Sequence, residues 1–111
     1  MSERVREITL EAFAAVVRDC ALVIDLREPD EYESGHVPRA ALIPAAAIPT
    51  RIRELPRRGP VYVICAAGNR SHAVAETLVR HGLDVRPVAG GTQAWIAAGY
   101  PIVPGRRADR S

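Results

Sequence analysis

The stretch "VYVICAAGNRSHAV", residues 61–74, limits the fold more than any other part of the chain. Val61, Tyr62, Val63 and Ile64 run apolar, without the alternation of a half-exposed strand. Such a run fits a strand covered on both faces, the kind found in parallel sheets. Gly68 breaks the run, and an alanine-rich segment with helical spacing follows. Cys65 sits at the junction. A buried strand feeding a helix through a tight turn is the repeating step of an α/β fold, and ligands in such folds bind beyond the carboxyl ends of the strands. The pattern therefore indicates both an architecture and a place to look for chemistry.

The rest of the chain repeats that step. "ITLEAFAAVVRD" predicts a helix capped by Thr9, with Phe13, Val16 and Val17 on one face. "ALVIDLRE" (21–28) reads as a strand, "PDEYESG" as a helical turn closed by Gly35, and "AALIP" (40–44) as a short strand. "AAIPTRIRELPRRG" offers Ile48, Ile52 and Leu55 at helical spacing and is stopped by Pro56 and Gly59. The strand at 61–65 leads into a helix that runs to about His81, where Gly82 can take the left-handed cap conformation. "LDVRPVAGG" supplies a final strand, and "TQAWIAAG" a last helix closed by Gly99. Strands alternating with helices imply a parallel sheet with helices on both faces. With 111 residues the chain can bury a core without a metal or disulfide, and one domain over 1–104 is expected.

Charge excludes more than it suggests. The net charge is +2, and the tail from Pro104, with three arginines and one aspartate, carries all of it. Residues 105–111 are therefore expected to form a basic, disordered tail, and nothing marks a folded basic face for nucleic acid. All fifteen basic residues are arginine, which reads as coding bias alongside the many alanines. No apolar stretch approaches the length of a membrane span, and the opening "MSERVREITL" is too charged for a signal peptide. A cytoplasmic protein is expected, with its two cysteines kept as thiols. No apolar surplus points to an obligate interface, so a monomer is expected. The three histidines do not have zinc-ligand spacing, and no metal is expected.

Cys65 is the candidate nucleophile. A thiol facing the start of a helix meets unpaired amides and the positive end of the dipole, which lower its pKa from about 8.5. Gly68 lets the backbone curl so that several amides point inward as an anion nest. Arg70 adds the only charged side chain of the loop Ala66-Ala67-Gly68-Asn69-Arg70. Among the other candidates, Asp25 and Arg27 are assigned to ion-pair support of the loop or its neighbouring turns. His36 is assigned a structural, hydrogen-bonded role, because a low-pKa thiolate needs no base. His72 is expected at the surface, and Arg80 and His81 suit a helix C-terminus. Trp95 is expected in the core, and Cys20 as a packed thiol.

Several motifs in order resemble the rhodanese-like sulfurtransferase domains, from about Ile8 to Val103. "VIDLREPDEYESGHVPRA" is similar to the family's Asp-x-Arg segment and its Glu-Tyr-x-x-Gly-His stretch, "ICAAGNRS" to its active-site loop, and "AGGTQAWIAAGYP" to its closing Gly-Gly, Trp and Gly-x-Pro signature. The resemblance implies a five-stranded parallel sheet with helices on both sides. It also implies sulfur transfer through a Cys65 persulfide, with a donor such as thiosulfate or a persulfide and a thiol, protein thiol or cyanide as acceptor, and no cofactor. The amides of residues 66 to 70 would then stabilise the persulfide anion. Two features depart from the family pattern. Arg39 stands where many members carry glycine, so the turn there is expected not to need a positive backbone dihedral. Ala66 and Ala67 leave the loop without the cations or polar side chains that thiosulfate-preferring members often carry. The alternatives are a phosphatase or arsenate reductase built on the same loop, and a noncatalytic interaction module. The former generally places five residues between Cys and Arg, whereas "CAAGNR" has four.

Overall fold

The computed structural model describes residues 5–106. Four parallel strands, β1 (Val23–Asp25), β2 (Ala41–Leu42), β3 (Val61–Ile64) and β4 (Val85–Pro87), lie in the order β2-β1-β3-β4. The expected fifth strand contracts to a single parallel bridge beside β4, Ile8 with Val88. There the Ile8 amide donates to Pro87 O at 2.9 Å and the Ala89 amide to Ile8 O at 3.0 Å. The helices are α1 (Leu10–Arg18), α2 (Pro29–Ser34), α3 (Ile48–Arg51), α4 (Asn69–Arg80) and α5 (Gly91–Ala97). None of these is long and apolar enough to cross a membrane.

The period-two geometry of β3 divides the core. Val61, Val63 and Cys65 join the cluster with Ala75 and Leu78 of α4 and with Ile48 and Leu55. Tyr62 and Ile64 point the other way, against Phe13 and Ala14 of α1 and Trp95 of α5. All four β3 residues are buried, as their continuous apolar run requires. Trp95 stacks on Tyr100 at 4.6 Å and donates its indole N–H to Pro101 O at 2.7 Å, which satisfies the one polar atom that burial would otherwise orphan.

Thr9 caps α1 as its position predicts, its Oγ1 accepting from the Ala12 amide at 3.2 Å. Where one helix was expected from about 46 up to Pro56, α3 is a single α-turn flanked by 3-10 turns at Ala45–Ala47 and Ile52–Glu54. Pro49 removes the amide that a continuous helix would direct at Ala45 O. The apolar face survives the change of backbone, with Ile48 and Leu55 buried and Ile52 packed against them.

Two expectations are overturned. Arg39 does take a positive dihedral, φ 71. The Ala40 amide donates to Val37 O at 3.1 Å, so residues 37–40 form a tight turn with Pro38 second and Arg39 third, and a type II turn needs the left-handed conformation at its third position. Cys20 is exposed rather than packed, with φ 63. The amides of Cys20 and Ala21 donate to Val17 O and Val16 O, the double closure of a Schellman motif, and Cys20 fills the place usually taken by glycine. Of the expected tail, Gly105 and Arg106 are described. The Gly105 amide donates to Glu33 O at 2.8 Å and Arg106 Nε to the Glu33 carboxylate at 2.6 Å. Residues 107–111 lie outside the described residues.

Candidate functional site

The site lies where β3 ends and α4 begins. Leu26 of the neighbouring chain segment donates its amide to Ile64 O at 2.9 Å, holding the strand to its last residue. Beyond it the backbone folds over the Cys65 side chain, which is buried. The Gly68 amide reaches the sulfur at 3.2 Å and the Ser71 amide at 3.3 Å. The thiol donates to Ser71 Oγ at 3.5 Å, and that hydroxyl donates to Gly68 O at 3.0 Å. Gly68, with φ 110, precedes the first residue of α4, so the sulfur sits at the helix start. Burial is the largest single influence on the thiol and pushes its pKa up. The Ser71 hydroxyl and the amides of Ser71, Gly68 and Arg70 together more than offset it, and the net direction is downward.

The loop is held from behind by α5. The Thr92 amide donates to Cys65 O at 2.8 Å and the Gln93 amide to Ala66 O at 3.0 Å. Gly91, with φ 63, makes this approach possible, because a Cβ there would fall on the carbonyl oxygens of both Cys65 and Ala66. Gly91 is thus a packing requirement of the cysteine loop, although it lies far along the chain from Cys65.

Arg70 does not stand free at the loop mouth. Its Nη1 and Nη2 meet the two carboxylate oxygens of Glu31 at 3.0 and 3.1 Å. Glu31 also accepts the Glu28 amide at 2.9 Å. Its carboxyl is held below the usual range first by Arg70 and then by that amide. Asp25 and Arg27 form a buried pair, with Arg27 Nη2 2.9 Å from Asp25 Oδ2 and 2.8 Å from Gly35 O. This pair ties the end of β1 to the end of α2, the helix that carries Glu31. His36 is buried, stacked on Tyr32 at 3.7 Å, with its Nδ1 2.9 Å from Tyr32 O. The Tyr32 hydroxyl donates to Ala40 O, and burial, followed by the Asp25 charge, pushes its pKa up to about 12. Ala67 and Asn69 are exposed on the outer side of the loop, and Ala66 is half-buried. His72 is exposed on α4.

Sequence reasoning missed Ser71 and Glu31. Ser71 reads as an ordinary helix residue, and its signal is only its place six residues after the cysteine, on the same inward side. Glu31 belongs to the "EYESGH" stretch, but its partner lies 39 residues away and no local spacing joins them. A cavity of about 250 Å³ lies farther along α4, between Ala73, Val74 and Thr77 on one side and Ala45, Ile48 and Pro49 on the other. Cys65 does not line it.

Comparison with known proteins meets this geometry with a family. The pattern of the Rhodanese-like domain matches residues 9–98. The chain belongs to the rhodanese-like domain family. A sulfurtransferase of Allochromatium vinosum is 34% identical over 102 residues, covering 89% of this chain and 95% of that protein. A putative sulfur carrier protein of Bacillus subtilis is 38% identical over 92 residues, 80% of this chain, and the chain spans only 50% of that relative's length. The crystal structure of a rhodanese-related protein from Thermoplasma volcanium superposes with a TM-score of 0.83 at 37% identity, covering 88% of this chain and 97% of that one. For this rhodanese-like domain the α/β architecture with a parallel sheet is therefore shared, with four strands among the described residues and the bridge at Ile8 in place of a fifth.

Proposed function

We propose that this protein is a sulfurtransferase that carries sulfur as a persulfide on Cys65. The observation that carries the reading is the cradle around Cys65 Sγ, in which two backbone amides and one hydroxyl converge on a buried thiol. Fixed backbone donors cost no reorganisation when negative charge is on Sγ, and a persulfide moves that charge only one S–S bond away, to an outer sulfur beside the same loop. Family membership and the names of the relatives point the same way.

The chemistry divides into two exchanges. The Cys65 thiolate attacks the outer sulfur of a donor, the donor's S–S bond breaks, and the leaving group departs with the electron pair. With thiosulfate the leaving group is sulfite, and with a hydropersulfide it is a thiolate. An acceptor nucleophile, cyanide or a thiolate, then takes the outer sulfur and returns Cys65 to the thiolate. Gly68 and Ser71 hold the thiolate charge at the start and end of the cycle, and the loop of Ala66, Ala67, Asn69 and Arg70 shapes the mouth where the outer sulfur carries it. Asp25, Arg27 and His36 fix the surrounding turns. We read residues 1–104 as the working unit and the protein as a cytoplasmic monomer.

A phosphatase-like reaction is the rival. An arginine that closes an oxyanion site should point its guanidinium at the anion, and here both Arg70 Nη atoms are engaged by Glu31. Incubation with thiosulfate or glutathione persulfide, followed by intact-mass measurement and peptide mapping, tests the reading. A mass gain of one sulfur on Cys65, removed by cyanide, is the expected result. No gain with any donor, or hydrolysis of aryl phosphate through Cys65, overturns it.

A further inference from the structure

The cysteine loop carries one cationic side chain, and that cation is already matched. Arg70 and Glu31 meet in a two-bond, side-by-side pair, the strongest geometry open to a guanidinium and a carboxylate. Glu31 is itself anchored, because its Oε1 accepts the Glu28 amide at 2.9 Å in the first turn of α2. α2 is in turn fixed to the sheet by Arg27, which bonds both Asp25 and Gly35 O. The carboxylate is therefore delivered to the loop mouth by a chain of hydrogen bonds that begins in the core. Arg70 lies within reach of the Cys65 charge, and Glu31 is its dominant partner. Both side chains are about one-third exposed, at 39% and 35%, so the pair sits at the rim that an incoming donor must pass.

We infer that Glu31 is a specificity-determining residue, which cancels the Arg70 charge at the mouth of the Cys65 loop and so selects sulfur donors of zero or low net charge over dianions. The inference rests on the sulfur-transfer reading. A dianion such as thiosulfate that approaches the loop meets a thiolate, a carboxylate and one guanidinium, and the last two cancel. Its attraction is then limited to amides already directed at Cys65 Sγ. A hydropersulfide bears at most one charge on the transferred group and has less repulsion to overcome. In that exchange Cys65 S⁻ bonds to the outer sulfur of R–S–SH, the donor's S–S bond breaks, and the new Cys65 persulfide loses the outer sulfur's proton to solvent. R–S⁻ leaves with the electron pair and takes a proton from solvent, so no external oxidant or reductant enters.

Steady-state kinetics of Glu31→Gln and Glu31→Asp beside the wild type, each checked for fold by circular dichroism, test this with two donors of opposite charge character. Thiosulfate is the dianion, and 2-aminoethyl hydropersulfide, whose ammonium group balances any persulfide charge, is the donor of zero or positive charge. Glutamine can still accept the Glu28 amide, so the first turn of α2 is preserved while the charge is lost. The expected result is a thiosulfate KM about fivefold lower in Glu31→Gln at low salt, the scale of one exposed charge pair. The gap should close as ionic strength rises. kcat should stay within about twofold, and the KM for the aminoethyl donor should not fall. Glu31→Asp, which keeps the anion, should resemble the wild type. An unchanged thiosulfate KM in Glu31→Gln overturns the inference, and so does an equal fall for both donors, which would mark a purely geometric role. Absence of sulfur on Cys65 in all three proteins with both donors overturns the sulfur-transfer reading itself, a result distinct from either of those.

Discussion

The end of β3 and the end of α1 each carry a thiol, and the two are built from different materials. Cys65 is buried, and its sulfur is met by amides whose positions are set by a strand, a tight loop and a helix start. Cys20 is exposed, in the left-handed position that closes α1, and its sulfur accepts one contact, from Arg39 Nη1 at 3.0 Å. The exposed thiol is the easier to reach. The buried one has the stronger design for holding negative charge, because backbone donors lose no side-chain freedom on engaging it, whereas an exposed arginine must be ordered and is screened by salt.

The sharpest way to break this comparison is to remove each sulfur in turn. Cys65→Ser should lower sulfur transfer by at least about 10³-fold while the circular dichroism spectrum is kept, as expected for loss of a covalent nucleophile. Cys20→Ser should leave kcat/KM within about twofold. Loss of turnover in a folded Cys20→Ser protein would give the exposed thiol a part in the cycle and undo the contrast.

The next effect in size concerns the support behind the loop. Gly91→Ala places a methyl group on two carbonyl oxygens at a positive φ, so about 2–4 kcal/mol of stability should be lost, with turnover falling as the loop is displaced. Gly82→Ala has a similar φ, 86, but open space around it, and should cost about 1 kcal/mol with turnover kept. Chemical denaturation of the pair separates a packing requirement from a conformational one. Equal losses would mean that the approach of α5 to Cys65 O does not matter.

Ser71→Ala gives a smaller change at the sulfur itself. Loss of a hydroxyl near the charged sulfur should slow sulfur loading about tenfold, equivalent to about 1.5 kcal/mol, and move the pKa of Cys65 alkylation upward. An unchanged alkylation profile would leave the amides as the whole cradle.

The smallest effect lies in the pH dependence of stability. The folded-state pKa of Cys65 is lowered, so the charged sulfur stabilises the fold fully above the unfolded value near 8.5 and loses that contribution as pH falls through the folded pKa. The stability difference between wild type and Cys65→Ser should therefore shift in favour of the wild type as pH rises through the window just below 8.5, then level off. A shift in the opposite direction would mean that burial outweighs the donors.

What was legible in the sequence was what repeats locally. β3 could be read from four apolar residues in a row, α1 from Thr9 and its apolar face, and the loop from a cysteine followed by glycine at a strand end. The strand at the N-terminal edge was harder to see because Ile8 makes only one bridge, too short a pairing to leave a period. The segment after β2 kept its buried face while prolines broke its helix, so side-chain spacing was informative and backbone type was not. Arg39 and Cys20 escaped for a shared reason. Each takes a left-handed conformation that glycine usually fills, and the surrounding hydrogen bonds demand it whatever the side chain. Glu31 escaped because its role exists only once α2 and α4 are brought together.

The contact between α5 and the cysteine loop has a consequence in time as well as in space. A chain made from its amino end adds Cys65 before Gly91, Thr92 and Gln93 exist to hold its backbone. Until those residues arrive, the two carbonyls that they bind lack these partners, and only the contacts among Cys65, Gly68 and Ser71 hold the curl. The cradle is thus translated early and braced late, and its backbone is fully held only once α5 has docked.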